Sequence, residues 1–266
     1  MRERILGKGQ GGIYSVTLAA IPNFPRITPG CDIATILIET TGSAGIEIQE
    51  GDIFALAHKI ISKAEGRTVN LQEVVPSERA YEVAGRTEKD PRLVELILQE
   101  SQEISRMRPG LIITRHRLGF TCANAGIDRS NVPQDSGDET VILLPKDPDD
   151  SAKKIHQSIR DKISKSVGII IVDSHGRPFR LGTTGTAIGL ASMPALWDRR
   201  GEADLYGYEL QHTEVGTADE IAAAASLLMG QAAEGTPAVH ISGLRLPPIE
   251  GCAADLIRPE EKDLYR

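Results

Sequence analysis

Cysteine is scarce in this chain. Cys31, Cys122 and Cys252 stand far apart among 266 residues, and no CxxC pair occurs. An odd, sparse count argues against a disulfide framework and suits a reducing cytoplasm. Such spacing also builds no thiolate zinc site. No apolar run approaches the length of a membrane span, and the N-terminal MRERILGKGQGG has no sustained apolar core of a leader peptide. A basic excess is missing too: the formal net charge is −7. A nucleic-acid surface would need a concentrated basic face, so none is expected. The expectation is a cytoplasmic protein with no membrane and no nucleic-acid partner.

Familiar catalytic motifs are also absent. There is no G-x-x-x-x-G-K-[ST], no HExxH and no G-x-S-x-G. GKGQGG at 7–12 fits G-x-G-x-x-G by letter. A dinucleotide loop should follow a strand and open a helix, whereas this one precedes a strand. A turn or flexible arm is the better reading. Any nucleotide chemistry must use another scaffold.

What is present is a chain with 40% hydrophobic residues. That suffices for one large domain, or for two intimately packed ones, over 1–266. β-branched runs bounded by Gly, Pro and Asp predict strands at 13–21, 52–61, 110–118, 140–145, 167–173 and 237–242. VGIIIVD (167–173) is continuously apolar, as a strand buried on both faces would be. DPRLVELILQESQEISRM predicts a helix from Asp90, with Pro91 at its first position, to the Pro109-Gly110 stop. A shorter helix is expected after Pro76-Ser77. DDSAKKIHQSIRDKI carries isoleucines at helical spacing. TADEIAAAASLLMGQ reads as a helix opened by a Thr217/Glu220 capping box. Too few crossover helices lie between 110 and 145 for a doubly wound sheet, so the fold class is α+β.

Four polar stretches carry the candidate chemistry. KIISKAEGR (59–67) places Lys59, Lys63 and Arg67 after an apolar run. Solvated charges are the plain reading, and a phosphate clamp is the functional one. CANAGIDRSNV (122–132) crowds Asn124, Asp128, Ser130 and Asn131 around Gly126. It reads as an Asx-rich turn or as an oxygen-donor site for a hard cation. LLPKDPDDSA (143–152) sets Asp147, Asp149 and Asp150 before a helix, where helix capping is favoured over metal binding. VDSHGRPFRLG (172–182) sets Asp173 and Ser174 at a strand end, with Arg177 and Arg180 beyond. A ligand position and a structural Asp–Arg pair are both open there.

These stretches, with IPNFPRITPGCD (21–32), GDIFALAHKIISKAEGR (51–67), KDPRLVELILQES (89–101), DRRGEADLYGYEL (198–210) and ADEIAAAASLLMGQ (218–231), come in one order. The chain thereby resembles the coenzyme F420-0:L-glutamate ligases, from about Ile21 to Gly243. The resemblance implies a family-specific α+β fold of mixed and antiparallel sheets flanked by helices, and a homodimer. It implies GTP-dependent ligation of L-glutamate to coenzyme F420-0, and on to a γ-linked tail, through an acyl phosphate. Mg²⁺ or Mn²⁺, two per site, is implied, with K⁺ as a candidate further cation. Carried over by position, the metal ligands are Asp128, Asp173, Ser174 and Gln231. The nucleotide contacts are Phe24, Pro25, Arg26, Ile27, His58, Lys59, Lys63 and Asn131. Met229, Gly230, Gln231, Ala232, Ala233, Glu234, Gly235 and Thr236 form a segment that closes over the nucleotide. Asp173 and Lys63 are the expected catalytic groups; Arg177 and Arg180 are assigned to an anionic substrate group from their chemistry.

Four positions depart from the family pattern. Ser174 stands where Thr is usual, and His175 where an aromatic residue or Asn is usual. Tyr208 stands where Arg is common, and Arg26 where an aliphatic residue is common. These departures leave open an amide ligase acting on another acceptor. A metal-dependent phosphohydrolase and a non-catalytic nucleotide-binding protein are the readings from other classes. The C-terminal flavin-binding domain of some bacterial members is not expected, since the sequence ends at 266.

Overall fold

The computed structural model describes residues 13–132 and 139–264. The GKGQGG stretch lies outside them. In chain order the fold opens with β1 (Thr17–Ala20), α1 (Ile33–Ser43), β2 (Ile53–Ala57), α2 (His58–Ala64) and β3 (Thr68–Asn70). It continues with α3 (Glu78–Thr87), α4 (Pro91–Gln99), β4 (Ser101–Arg108), β5 (Leu111–His116), β6 (Thr121–Ala123) and β7 (Thr140–Ile142). It closes with α5 (Pro148–Ile163), β8 (Gly168–Arg177), β9 (Arg180–Ala191), β10 (Trp197–Asp198), β11 (Glu214–Val215), α6 (Thr217–Met229) and β12 (Ala238–Ser242). The class is α+β, as expected.

The main sheet has the order β1-β12-β2-β8-β9. Only β2 and β8 run parallel; the other neighbours are antiparallel. Alternation along the strands explains their unbroken apolar character. Phe54, Leu56, Ile169 and Ile171 face one core, shared with Leu37 of α1 and Ile155 and Ile159 of α5. Ile53, Ala55, Ile170 and Val172 face another, shared with Ile221, Ala222 and Ala225 of α6. Both faces are thus covered, and a strand so placed has no need of polar alternation. Each fully buried Ile or Leu is worth about 1.5–3 kcal/mol.

A second body of structure stands on the segment between β3 and β7. β4, β5 and β6 form an antiparallel sheet. Val83, Val94, Ile97 and Ile112 form the core beneath α3 and α4.

Several local expectations change. The predicted strand 52–61 ends at Ala57, and the chain turns directly into α2. Short apolar runs do not by themselves separate strand from helix; here Ile60 and Ile61 pack into the core from a helix. The helix predicted from Asp90 to Met107 ends at Gln99, and Ser101 begins β4. Glu100 accepts hydrogen bonds from Arg67 Nη2 at 2.8 Å and Arg117 Nε at 2.9 Å, and β4 gains β5 as a partner. Tertiary pairing overrides a modest helix preference. Thr217 does not cap α6; Gly216 occupies the cap position and no side chain bonds there. The helix α1 had no sequence prediction.

The LLPKDPDDSA aspartates settle as structural groups. Asp147 caps α5 by accepting from Asp150 N at 3.0 Å. A bulge in β9 leaves Ile188 opposite no partner between the Ile171 and Val172 pairs. Nearby amides are met by helix carboxylates: Leu190 N donates to Asp149 at 2.8 Å, and Ala187 N to Asp219 at 2.9 Å. Both helices are thereby pinned to β9.

Candidate active site

The site grows from the parallel pair of β2 and β8. Ala57 of β2 stands beside Val172 of β8. The next residues, His58 and Asp173, therefore emerge together just past the end of the parallel pairing; Asp173 is not at a strand end as expected, because β8 runs on to Arg177 in a hairpin with β9. His58 Nε2 lies 3.4 Å from Asp173 Oδ1. Two residues along the same strand, His175 Nε2 lies 3.0 Å from Asp173 Oδ2. The Ser174 amide donates to Asp173 Oδ1 at 2.7 Å. Burial favours the neutral acid, but His58, His175 and that amide outweigh it and hold the Asp173 carboxyl well below the usual carboxylate range. Burial drives the His58 pKa down, against the opposing pull of Asp173. The structural alternative for this motif, an Asp–Arg pair, is not what forms: the partners of Asp173 are imidazoles.

One turn of α2 supplies both lysines. Lys59 Nζ lies 2.6 Å from Asp128 Oδ2 and donates to Ser130 Oγ at 2.5 Å. Lys63 Nζ donates to the Asn131 carbonyl at 2.7 Å. Burial, then the charges of Lys59 and Arg26, lower the Lys63 pKa. Arg67 instead joins the ion cluster of Glu100 and donates to the Leu144 carbonyl at 2.9 Å, so it is not part of this group. Asp128 also accepts from Ser130 N and Ser130 Oγ, both at 2.8 Å. The GIDRSN stretch is therefore an Asx-type turn whose carboxylate faces a lysine.

Phe24, Pro25, Arg26 and Ile27 form the segment before α1. Phe24 and Ile27 pack into the core, while Pro25 and Arg26 stay exposed. Beyond α6, the 229–236 segment joins two sides of the site. Asn131 Nδ2 donates to the Ala232 carbonyl at 3.0 Å, and Ser174 Oγ donates to Gln231 Oε1 at 2.9 Å. Thr236 Oγ1 ties the segment back to the Leu228 carbonyl at 3.0 Å.

Asp173 and Ser174 are successive residues in a strand, so their side chains leave opposite faces. The four candidate metal donors accordingly divide: Asp173 with the histidines, Ser174 with Gln231, and Asp128 with Lys59. Among the described residues, no group of three His, Cys, Asp or Glu side chains is placed to hold a metal by itself. The donor set is nonetheless all oxygen: two carboxylates, a hydroxyl and an amide. That chemistry fits Mg²⁺ or Mn²⁺, which commonly take one or two carboxylates and complete their shell with water and substrate phosphate.

Arg177 and Arg180 pair across the tip of the β8–β9 hairpin and are exposed. The structure does not bring them into contact with Asp173. Cys122 is close enough to Asp173 to feel its charge. Burial and that charge push its thiol up to about 12, which makes it a poor nucleophile.

One neighbour of the site, Phe120, is not signalled by the sequence. Phe120 lies with its ring centroid 5.0 Å from that of His175 and 5.1 Å from that of His116. Strand alternation does signal that His175 shares a face with Asp173. Nothing in the sequence signals Phe120, which arrives from a different sheet.

Residues 22–243 match the family model described as F420-0:Gamma-glutamyl ligase. The coenzyme F420:L-glutamate ligase of Methanothermobacter thermautotrophicus is 46% identical over 253 residues, covering 94% of this chain and 99% of the relative. The protein of that name from Methanopyrus kandleri is 45% identical over 260 residues, covering 96% and 100%. That from Archaeoglobus fulgidus is 41% identical over 251 residues, covering 94% and 96%.

Proposed function

The chain belongs to the F420-0:gamma-glutamyl ligase family and is a ligase, and from that premise we propose that it joins L-glutamate to coenzyme F420-0 at the expense of GTP. The observation that carries this reading is the bridge made by the 229–236 segment. It meets Asn131, whose carbonyl holds Lys63, and it meets Ser174, next to Asp173. The segment thus ties the loop that holds Lys63 to the strand that carries Asp173, which supports the reading.

A carboxylate is a poor electrophile, so direct attack by an amine is slow. Transfer of the γ-phosphoryl group of GTP to the acceptor carboxylate gives an acyl phosphate and GDP. The glutamate amine then attacks the acyl carbon, the C–O bond to phosphate breaks, and the amine loses a proton. Amide and inorganic phosphate result. The attacking carboxylate and the triphosphate are both anions, so positioning and charge compensation dominate such a step. Lys63 and Lys59 on α2 supply positive charge to the phosphates. Pro25, Arg26 and the 229–236 segment flank the nucleotide. Arg177 and Arg180 take an anionic substrate group that reaches the hairpin tip. Asp128, Asp173, Ser174 and Gln231 would hold Mg²⁺ or Mn²⁺, which neutralises phosphate charge when bound. Repetition of the reaction would extend a γ-linked tail.

Two projecting elements support a homodimer. Phe179 and Leu181 at the β8–β9 tip, and Leu205 and Tyr206 between β10 and β11, are each more than nine-tenths exposed. Where such groups lie together in one contiguous patch, they favour association. Cys31, Cys122 and Cys252 are free thiols, which fits a reducing cytoplasm.

The test is one incubation with GTP, Mn²⁺ or Mg²⁺, L-glutamate and coenzyme F420-0, read by mass spectrometry. Product heavier by one or more glutamyl units is expected. Release of phosphate that is independent of glutamate, with no such product, would replace the ligase reading with a phosphohydrolase.

A further inference from the structure

The Asp173 carboxylate is gripped on one side by His175, and something must set the direction of that imidazole. The His175 ring is 8% exposed. Its Nε2 faces Asp173 Oδ2 at 3.0 Å. Beside it, tilted by 45°, lies Phe120. Phe120 in turn stacks on His116 with only 4° between the ring planes.

His116 backs the Phe120 ring. It is fully buried. The Leu118 amide donates to its Nδ1 at 3.1 Å. The ring proton of the neutral imidazole therefore sits on Nε2, which lies 3.6 Å from Glu100 Oε2. Arg67 and Arg117 anchor Glu100. The turn from β5 to β6 is equally constrained. His116 N donates to the Phe120 carbonyl at 2.8 Å, and Gly119 takes a φ of +100° within that turn. The Phe120 backbone is thus tied into the hairpin turn, and its ring lies flat against the buried His116 imidazole.

We propose that Phe120 is a positioning residue: clamped against His116, it holds His175 Nε2 on Asp173 and so fixes the direction of that carboxylate. The assignment rests on the reading of Asp173 as a functional acid of the ligase site. Partners one step removed from a reactive carboxylate or ligand commonly change activity or affinity by about 10- to 100-fold when lost. The contact crosses from the β4–β6 sheet to the main sheet, so it also links the two bodies of structure at the site.

The experiment compares the full chain with Phe120→Leu, Phe120→Met and Phe120→Tyr. Leu and Met keep an apolar filler but remove the ring, and either one that folds serves; Tyr keeps the ring. Imidazole ¹⁵N spectra of histidine-labelled protein, with His175 assigned from a His175→Asn variant, report its tautomer. A single Nε2–H form is expected in the unmodified chain and in Phe120→Tyr, and averaged tautomers in Phe120→Leu and Phe120→Met. Ligase kinetics should show kcat lower by about tenfold in the ringless variants, with the KM for GTP unchanged and Phe120→Tyr near normal. A ringless variant that keeps both the Nε2–H signature and full kcat overturns the proposal. So does a ringless variant with a loosened tautomer and undiminished kcat. Should the unmodified chain fail to ligate, the ligase reading falls on its own, while the spectra still decide whether Phe120 sets His175.

Discussion

Asp173 turns its Oδ2 to His175 Nε2 at 3.0 Å, two residues further along the same strand. Its other oxygen faces His58 at 3.4 Å, at the start of the helix that follows the parallel neighbour strand. One carboxylate is thus held by its own strand and by the adjoining one. The first prediction concerns that group. Asp173→Asn keeps shape and hydrogen-bonding capacity but removes the charge. Glutamate-dependent turnover should fall by at least about 100-fold, while the far-ultraviolet spectrum and the melting midpoint stay near those of the unaltered protein. Normal turnover would remove Asp173 from the site.

Lys63 is half-buried and bonded to the Asn131 carbonyl. Lys63→Ala should weaken GTP binding about tenfold, equivalent to roughly 1.4 kcal/mol. Calorimetric titration with GTP reads this directly. An unchanged affinity would count against a phosphate contact at Lys63.

Glu100 gives a pH prediction. Burial raises its carboxyl, but His116, Arg67 and Arg117 outweigh that and hold it at about 2, from an ordinary value of 4.5. Its folded pKa is depressed, so its contribution is present above about 4.5 and is lost as pH falls toward 2. The side chain is 12% exposed, and the shift corresponds to on the order of 3 kcal/mol. Glu100→Gln should be less stable than the unaltered chain at pH 6, and the gap should close between pH 4.5 and 2. Urea unfolding at a series of pH values measures the difference. A gap independent of pH would show that Glu100 acts through packing alone.

Gly185 tests the seat of α6. A methyl group there would meet the Ala222 carbonyl oxygen and lie 2.7 Å from Ser226 Cβ. Gly185→Ala should cost about 1–3 kcal/mol by overpacking. It should also raise the KM for GTP, because α6 carries the 229–236 segment. Denaturant midpoints and steady-state kinetics check both parts; an unshifted midpoint would mean that α6 can move without strain.

Much of this was legible in the chain because apolar pattern and punctuation are local. The strand VGIIIVD, the Ser77-capped helix α3, and the capping role of Asp147 follow from β-branched runs, Ser, Asp and Pro. The spans that failed did so at tertiary contacts. Glu100 leaves its helix where Arg67 and Arg117 take its carboxylate, and IISKA is a helix because Ile60 and Ile61 find a core there. Neither partner is within reach of a sequence window.

By itself, then, the sequence determined the residue inventory: apolar runs for a core, two lysines four residues apart, and an acid directly after the apolar run of a strand. It also carried the family likeness. The tertiary structure alone decided the pairings. Parallel register between β2 and β8 set His58 beside Asp173, and strand alternation sent Ser174 to the opposite face, toward Gln231. A turn from another sheet brought Phe120 against His175. The reason is physical: pattern and propensity act over a few residues, whereas a charged site depends on side chains whose distances are fixed only when the sheets close on their cores.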